Sequence, residues 1–315
     1  MVLVLGEVQT AALRHSAGVP RELAESALAL LPGERVRVYE RPIGFAVSPM
    51  TFTGVDCRIV SRSGPRVRGV GTLTGRVCLT GGRVLQGSAL TRIVPVAGGH
   101  RRPWSHYLAQ PGVVETIGRA DLLGVAAAHL TADKPVSTMG MGAFCNRLVT
   151  DVQSSSVLDR RLPIRARRTV LRWAALIDPN VEGVKVRFTV RENGLRTVRL
   201  ALGPESIEDI VDLCEDLALH DWLLTALLTV IEQSQIGVEE PAQSLQRLRP
   251  AVDHLLHLWM PAARLGGFAL SVWEGLEGRP GLSRQWDASV RRIRDQMAMA
   301  AALVNRSAET PTLFP

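Results

Sequence analysis

Lysine is almost missing from this chain: of 37 cationic side chains only Lys134 and Lys185 are lysines, and the other 35 are arginines. A GC-rich coding bias, which also favours Ala, Gly, Val and Leu, accounts for part of that. Arginine abundance is therefore not in itself a sign of phosphate recognition, although the planar guanidinium fork suits phosphate and carboxylate. Cysteine is scarce too. Cys57, Cys78, Cys145 and Cys214 form no CxxC, and no histidine stands at zinc-finger spacing, so neither a zinc site nor a disulfide framework is expected. Reduced, buried thiols in a cytoplasmic protein are the plain reading. Long apolar runs are also lacking. Val2-Leu3-Val4-Leu5 has no cationic segment before it and reads as a first strand, not a signal peptide. The most apolar stretch, Trp222 to Ile231, is about half of what a bilayer requires, which predicts a buried helix and no membrane insertion.

The local signatures of common chemistry are equally missing. The chain holds no GxxxxGK[ST] loop, no HExxH and no GxSxG. Gly69, Gly71 and Gly75 make a glycine string, but in alternating β sequence with no helix after it, which argues against a dinucleotide site. No cofactor is expected.

What is present predicts an α+β fold. The 315 residues, 46% hydrophobic, suffice for a substantial core and for about two domains. Residues 1–118 read as a β-rich basic part: a short helix begins near Pro20 and ends at Pro32-Gly33. Short segments rich in Val, Ile and Thr then alternate with glycine and proline, with turn signals at Gly81-Gly82 and Gly98-Gly99. An antiparallel meander or small barrel is expected. Residues 119–203 read as a mixed segment within the same domain, helical over 119–176 with helices at Ala120–Leu130 and Gly142–Val152 and a loop at Asp133–Gly140. A C-terminal helical bundle follows over 204–304, then a disordered tail over 305–315.

Val184–Leu202 is the clearest hairpin. A two-residue Asn193-Gly194 turn would mix its faces, whereas a three-residue loop with Gly194 left-handed pairs Phe188 with Val198 and Val186 with Leu200. That register puts Lys185, Arg187, Arg191 and Arg199 on the other face, with Arg187 directly across from Arg199. Like charges so placed repel unless an anion offsets them.

In the helical part, Ser206 with Asp209 resembles a capping box, and Trp286, Val290, Ile293, Met297, Ala301 and Val304 form the stripe of the last helix. Asp253, His254 and His257, with His220-Asp221 on a preceding helix, are the nearest approach to a metal constellation. Arg249, Asp253 and His257 read equally as a structural ion-pair ladder, and no metal site is predicted.

Charge is unevenly laid out. Residues 1–120 carry fifteen cations against seven carboxylates, 121–200 thirteen against seven, and 201–315 nine against sixteen. Such asymmetry implies either an internal electrostatic clamp or a basic surface kept for an acidic partner. Candidate anion- or partner-binding residues are Arg165, Arg167 and Arg168 in the arginine-rich stretch, the four hairpin cations, and Arg101, Arg102 and Trp104 in a basic, aromatic loop. That loop could stack a base, or Trp104 and Tyr107 could simply pack it onto the core. No residue is a catalytic candidate.

The strings Leu213–Leu224 and Leu248–Pro261, together with Leu5-Gly6-Glu7-Val8, Pro32–Val38 and Pro103–Leu108, resemble a family of actinobacterial proteins with no assigned activity. The likeness would cover most of the chain. Members of that family are usually encoded beside a variant P-loop protein and a methyltransferase-like protein. The resemblance implies one component of a multi-protein cytoplasmic system, with a P-loop NTPase as a protein partner. Three functional expectations follow: a non-enzymatic interaction or scaffold protein, a nucleic-acid-binding protein using the basic two thirds, and a metal-dependent enzyme around His220, Asp253 and His257.

Overall fold

The computed structural model describes residues 1–59, 67–96, 100–118, 120–131, 139–234 and 241–308, and the side chains of these except at 241 and 303–308. The fold is α+β, built on one mixed sheet. Its strands are β1 (Val2–Ala12), β2 (Arg37–Tyr39), β3 (Phe45–Val47), β4 (Thr51–Ile59), β5 (Val67–Thr80), β6 (Val84–Val96), β7 (Val113–Ile117), β8 (Thr169–Ile177), β9 (Lys185–Val190) and β10 (Arg196–Leu202). They lie in the order β2-β3-β5-β7-β6-β1-β8-β10-β9, with β4 also paired to β5. The sheet is open, with β9 as one edge strand. Most pairs are antiparallel as expected, but β6–β7 and β8–β10 are parallel.

Several short predicted strands fuse into long ones. β5 and β6 pair as a hairpin at their turn end, where Gly81 and Gly82 both take positive φ. Farther out they part, and β7 enters between them, antiparallel to β5 and parallel to β6. The glycine string serves this insertion. A Cβ on Gly71 would overlap the Val113 carbonyl oxygen and lie 2.7 Å from Val114 Cα. One on Gly75 would lie 2.7 Å from the Ser88 carbonyl oxygen and 2.9 Å from Phe144 and Leu148, so bare backbone is what lets these elements approach.

Each sheet face carries its own core, as expected for a sheet covered on both sides. One face packs Leu3, Leu5, Val77 and Ala174 against α1 (Arg21–Leu28), α3 (Leu122–Thr131) and α4 (Met141–Gln153). The other packs Val4, Val8, Trp173, Val198 and Leu200 against α5 (Ile207–Gln233), whose middle is buried on almost every side. Outside α5 lie α6 (Pro241–His254), α7 (Gly267–Gly278) and α8 (Leu282–Ala308). Ser206 caps α5 by accepting from the Glu208 N–H, which gives its four free N–H groups one partner.

Four readings need correction. Residues 169–177, expected within a helical region, are the central strand β8. Residues 104–108, expected as a loop, form the short helix α2 (Trp104–Leu108). Residues 305–308 of the predicted tail belong instead to α8, which runs to Ala308, and 309–315 lie outside the described residues. Along α8 Trp286 and Ile293 are buried, but Met297 is exposed and Ala300, not Ala301, faces inward. The Gly98-Gly99 turn and residues 133–138 of the predicted loop also lie outside the described residues. Among those described, no helix is long and apolar enough to cross a membrane.

Candidate functional site

The hairpin forms in the predicted register: Phe188 opposes Val198, Val186 opposes Leu200 and Arg187 opposes Arg199. Gly194 takes φ +80°, while the Arg191 N–H donates to the Leu195 carbonyl and the Gly194 N–H to that of Arg191. Because β10 runs beside β8, the apolar hairpin face continues the core under α5, and Lys185, Arg187 and Arg199 stand on the opposite face, exposed. Among the described residues no carboxylate pairs with any of these three. Among the described residues β9 has no strand on its outer side, so a row of backbone groups borders the same patch.

The other predicted cations are placed differently. Arg199 aligns with Ala174, five residues along β8 from Thr169, which separates it by about 17 Å from the start of that strand. Arg165, Arg167 and Arg168 precede that start and so form no single patch with the hairpin. Arg165 and Arg167 have exposed side chains, the Trp222 indole N–H donating only to the Arg167 backbone carbonyl, while Arg168 hydrogen-bonds to Asn146 and to Gln9. Arg191 is half-buried at the hairpin loop. Arg101 pairs with Asp56 at 3.3 Å and lies 5.2 Å over the Trp104 ring, which packs edge-on against Tyr107. The Tyr107 hydroxyl accepts from the Arg102 N–H. This unit fastens α2 to β4, with Tyr107 buried and Trp104, Arg101 and Arg102 exposed.

Sequence reasoning missed the arginines that matter most to the interior. On β5, Arg76 points at α5, where its Nε donates to Glu215 at 2.9 Å and its Nη2 to Glu215 at 2.7 Å and to Asp212. Burial works against ionisation of Glu215. The Arg76 guanidinium and the hydrogen bonds from Arg76 and Cys78 outweigh that and hold its carboxyl below the ordinary value. Asp221 of α5 accepts from Arg196 at 2.6 Å, and Glu7 of β1 from Arg172 of β8 at 3.0 Å. Acidic α5 thus spends its charge on cations of the sheet, which accounts for part of the asymmetry between the two ends of the chain. One signal for this was legible: Glu215, Asp216 and Asp221 fall inside a helix with almost no polar face, and carboxylates so placed require cations.

The histidines do not assemble. His220 is buried between Trp259 and Trp273, with ring centroids at 5.0 and 5.3 Å, and its Nδ1 lies 2.8 Å from the Asp216 carbonyl. Asp253 pairs outward with Arg249 at 3.1 Å, and His254 contacts Arg83. Among the described residues no group of three or more His, Cys, Asp or Glu side chains could hold a metal ion.

His129, on α3, is also fully buried. Its Nε2–H donates to the Gly6 carbonyl at 3.0 Å and its Nδ1 has no partner, so burial lowers its pKa although Glu7 lies nearby. A histidine with a depressed folded pKa stabilises above its unfolded value, about 6.5, and that contribution is lost as pH falls through the folded one. Urea midpoints for wild type should therefore drop between pH 7.5 and 5.5. In His129→Gln the drop should be smaller, and equal slopes in the two proteins would remove this role.

Compared with protein-family models, curated proteins and solved structures, the chain finds no match.

Proposed function

We propose that this chain is a non-enzymatic interaction protein that docks an acidic protein partner on the outer face of the β9–β10 hairpin. One observation carries the reading. Arg187 faces Arg199 directly, with Lys185 next to them, on a solvent-facing sheet surface where no described carboxylate offsets them. A fold that neutralises Arg76, Arg172 and Arg196 with its own acids keeps this repulsive pair unpaired. A protein partner suits the patch better than nucleic acid: among the described residues of β9 and β10 that face carries no aromatic side chain on which a base could stack, and edge strand β9 offers backbone groups that an extended segment could pair with. The family resemblance names the P-loop protein encoded alongside as the first partner to try.

Arg187→Glu separates docking from folding. Replacing a like-charge cross-strand pair by an opposite one should raise stability by about 0.2–1 kcal/mol. The same change should weaken binding to the purified P-loop protein at least tenfold, and wild-type binding should fall as salt rises. Loss of binding together with loss of stability would mean only damage. Tight, salt-dependent binding to duplex or single-stranded DNA in place of the protein would favour the nucleic-acid reading.

A further inference from the structure

The opposite end of the sheet holds a second feature, independent of the hairpin. In the β2–β3–β5 ladder Arg37 opposes Val47, Tyr39 opposes Phe45, and Val47 opposes Cys78, so these side chains share the sheet face to which Arg76 belongs. The helical layer does not close over this corner. A cleft of about 370 Å³ remains between the β2–β3 hairpin on one side and α5 with the 263–265 segment on the other. Its floor is the Arg76–Glu215–Asp212 cluster, and its rim carries Arg37, Arg41 and Arg264.

The charges in this cleft are unequally satisfied. Arg76 is matched by Glu215. Asp216 accepts from the Ala262 N–H at 3.0 Å and lies near His220, so its attraction to Arg264, 4.0 Å away, is weak. Arg264 lies 3.6 Å over the Phe45 ring, and its Nη1 is buried without a hydrogen-bond partner. Arg37 and Arg41 are exposed and have no ion pair among the described residues, and Glu40, next to Arg41, is held by Arg21 at 3.0 Å. Tyr39, half exposed, sits beside Phe45 with ring centroids 6.1 Å apart.

We infer that this cleft binds a phosphate monoester carrying a planar ring, the phosphate held by Arg37, Arg41 and Arg264 and the ring packed against Tyr39. Arginine forks suit the several oxygens of a dianion, and three under-satisfied ones around one opening exceed what a single carboxylate needs. The volume lies within the range of small-molecule sites and admits a mononucleotide-sized ligand. Asp212 is the internal competitor. Its side chain is half exposed, and it shares Arg76 Nη2 with Glu215, so an entering phosphate takes its place while Glu215 stays paired with the Arg76 guanidinium.

Titration calorimetry with adenosine 5′-monophosphate, 4-nitrophenyl phosphate and inorganic phosphate tests this on the full chain. At least one of the two esters should bind more tightly than inorganic phosphate. Arg37→Ala with Arg41→Ala, both on the surface, should weaken that binding at least tenfold, and Tyr39→Ala should weaken it several-fold. Asp212→Asn should strengthen it, a gain that no loss of folding can imitate. Arg187→Glu should leave it unchanged, which keeps this test separate from partner docking. Failure of both esters to bind, binding no tighter than that of inorganic phosphate, or equal affinity in the Arg37/Arg41 double variant would overturn the inference.

Discussion

Arg76→Met should destabilise the protein by about 3–5 kcal/mol at neutral pH, because it strands Glu215 as a buried, unpaired carboxylate. Arg76 and Glu215 are both almost fully buried, and their two hydrogen bonds join β5 to α5 across 139 residues of chain. The cost is the penalty of the orphaned charge and not the net worth of the pair. Arg76→Met with Glu215→Leu should therefore recover most of the loss. The pH dependence has a definite sign. In wild type Glu215 is held below the ordinary carboxylate value, so its contribution is present above that value and is lost as pH falls through the folded one. In Arg76→Met the stranded carboxyl can take up a proton, so the deficit against wild type should shrink as pH falls. Denaturant midpoints at pH 7.5 and 4.5 for the three proteins decide the matter. A single variant that costs no more than the double would show that Glu215 finds another cation.

The second large effect is expected at Gly71. Its substitution by alanine puts a methyl group into the backbone of β7, where no side-chain rotation can relieve it, and should cost at least the 1–3 kcal/mol typical of overpacking. The loss should appear as faster amide exchange in β7 and in the β5 segment paired with it. Thermal melts within 1 °C of wild type would mean that β7 can shift, and that the glycine string has some other purpose.

The hairpin was legible to the residue because strand alternation and turn chemistry agree: only one loop length gathers Val186, Phe188, Val198 and Leu200 on one face, and it needs glycine at 194. The buried character of α5 was legible too, since Trp222–Ile231 has no polar side. β8 was not. It is covered on both faces, so Ala174 and Ala175 are both buried and no alternation shows; its one charged residue, Arg172, continues an arginine-rich stretch that reads as surface. What makes Arg172 interior is Glu7, 165 residues earlier, and local pattern carries no trace of such a partner. β7 escaped for a similar reason, as five residues whose place depends on β5 and β6 parting to admit them.

The same distance problem divided the candidate arginines. Irregular spacing in 160–172 suggests one basic surface, yet its members go to a helix, to a strand and to solvent. The hairpin cations, by contrast, are set by local register alone. The ordinary surface reading and the functional one thus parted on a single physical criterion, whether strand register sets two cations face to face: among the described residues no carboxylate reaches Arg165, Arg167 or Arg168 either, but these three precede β8 and oppose no second cation across a strand pair.

Poly-glutamate, an acidic chain without bases, probes that criterion directly. Its affinity, followed by fluorescence anisotropy at two salt concentrations, should be salt-dependent for wild type, lost when Lys185, Arg187 and Arg199 are all changed to glutamate, and nearly kept when Arg165 and Arg167 are changed instead. Equal binding by all three proteins, or loss only in the Arg165/Arg167 variant, would contradict the assignment of the free basic surface to the hairpin.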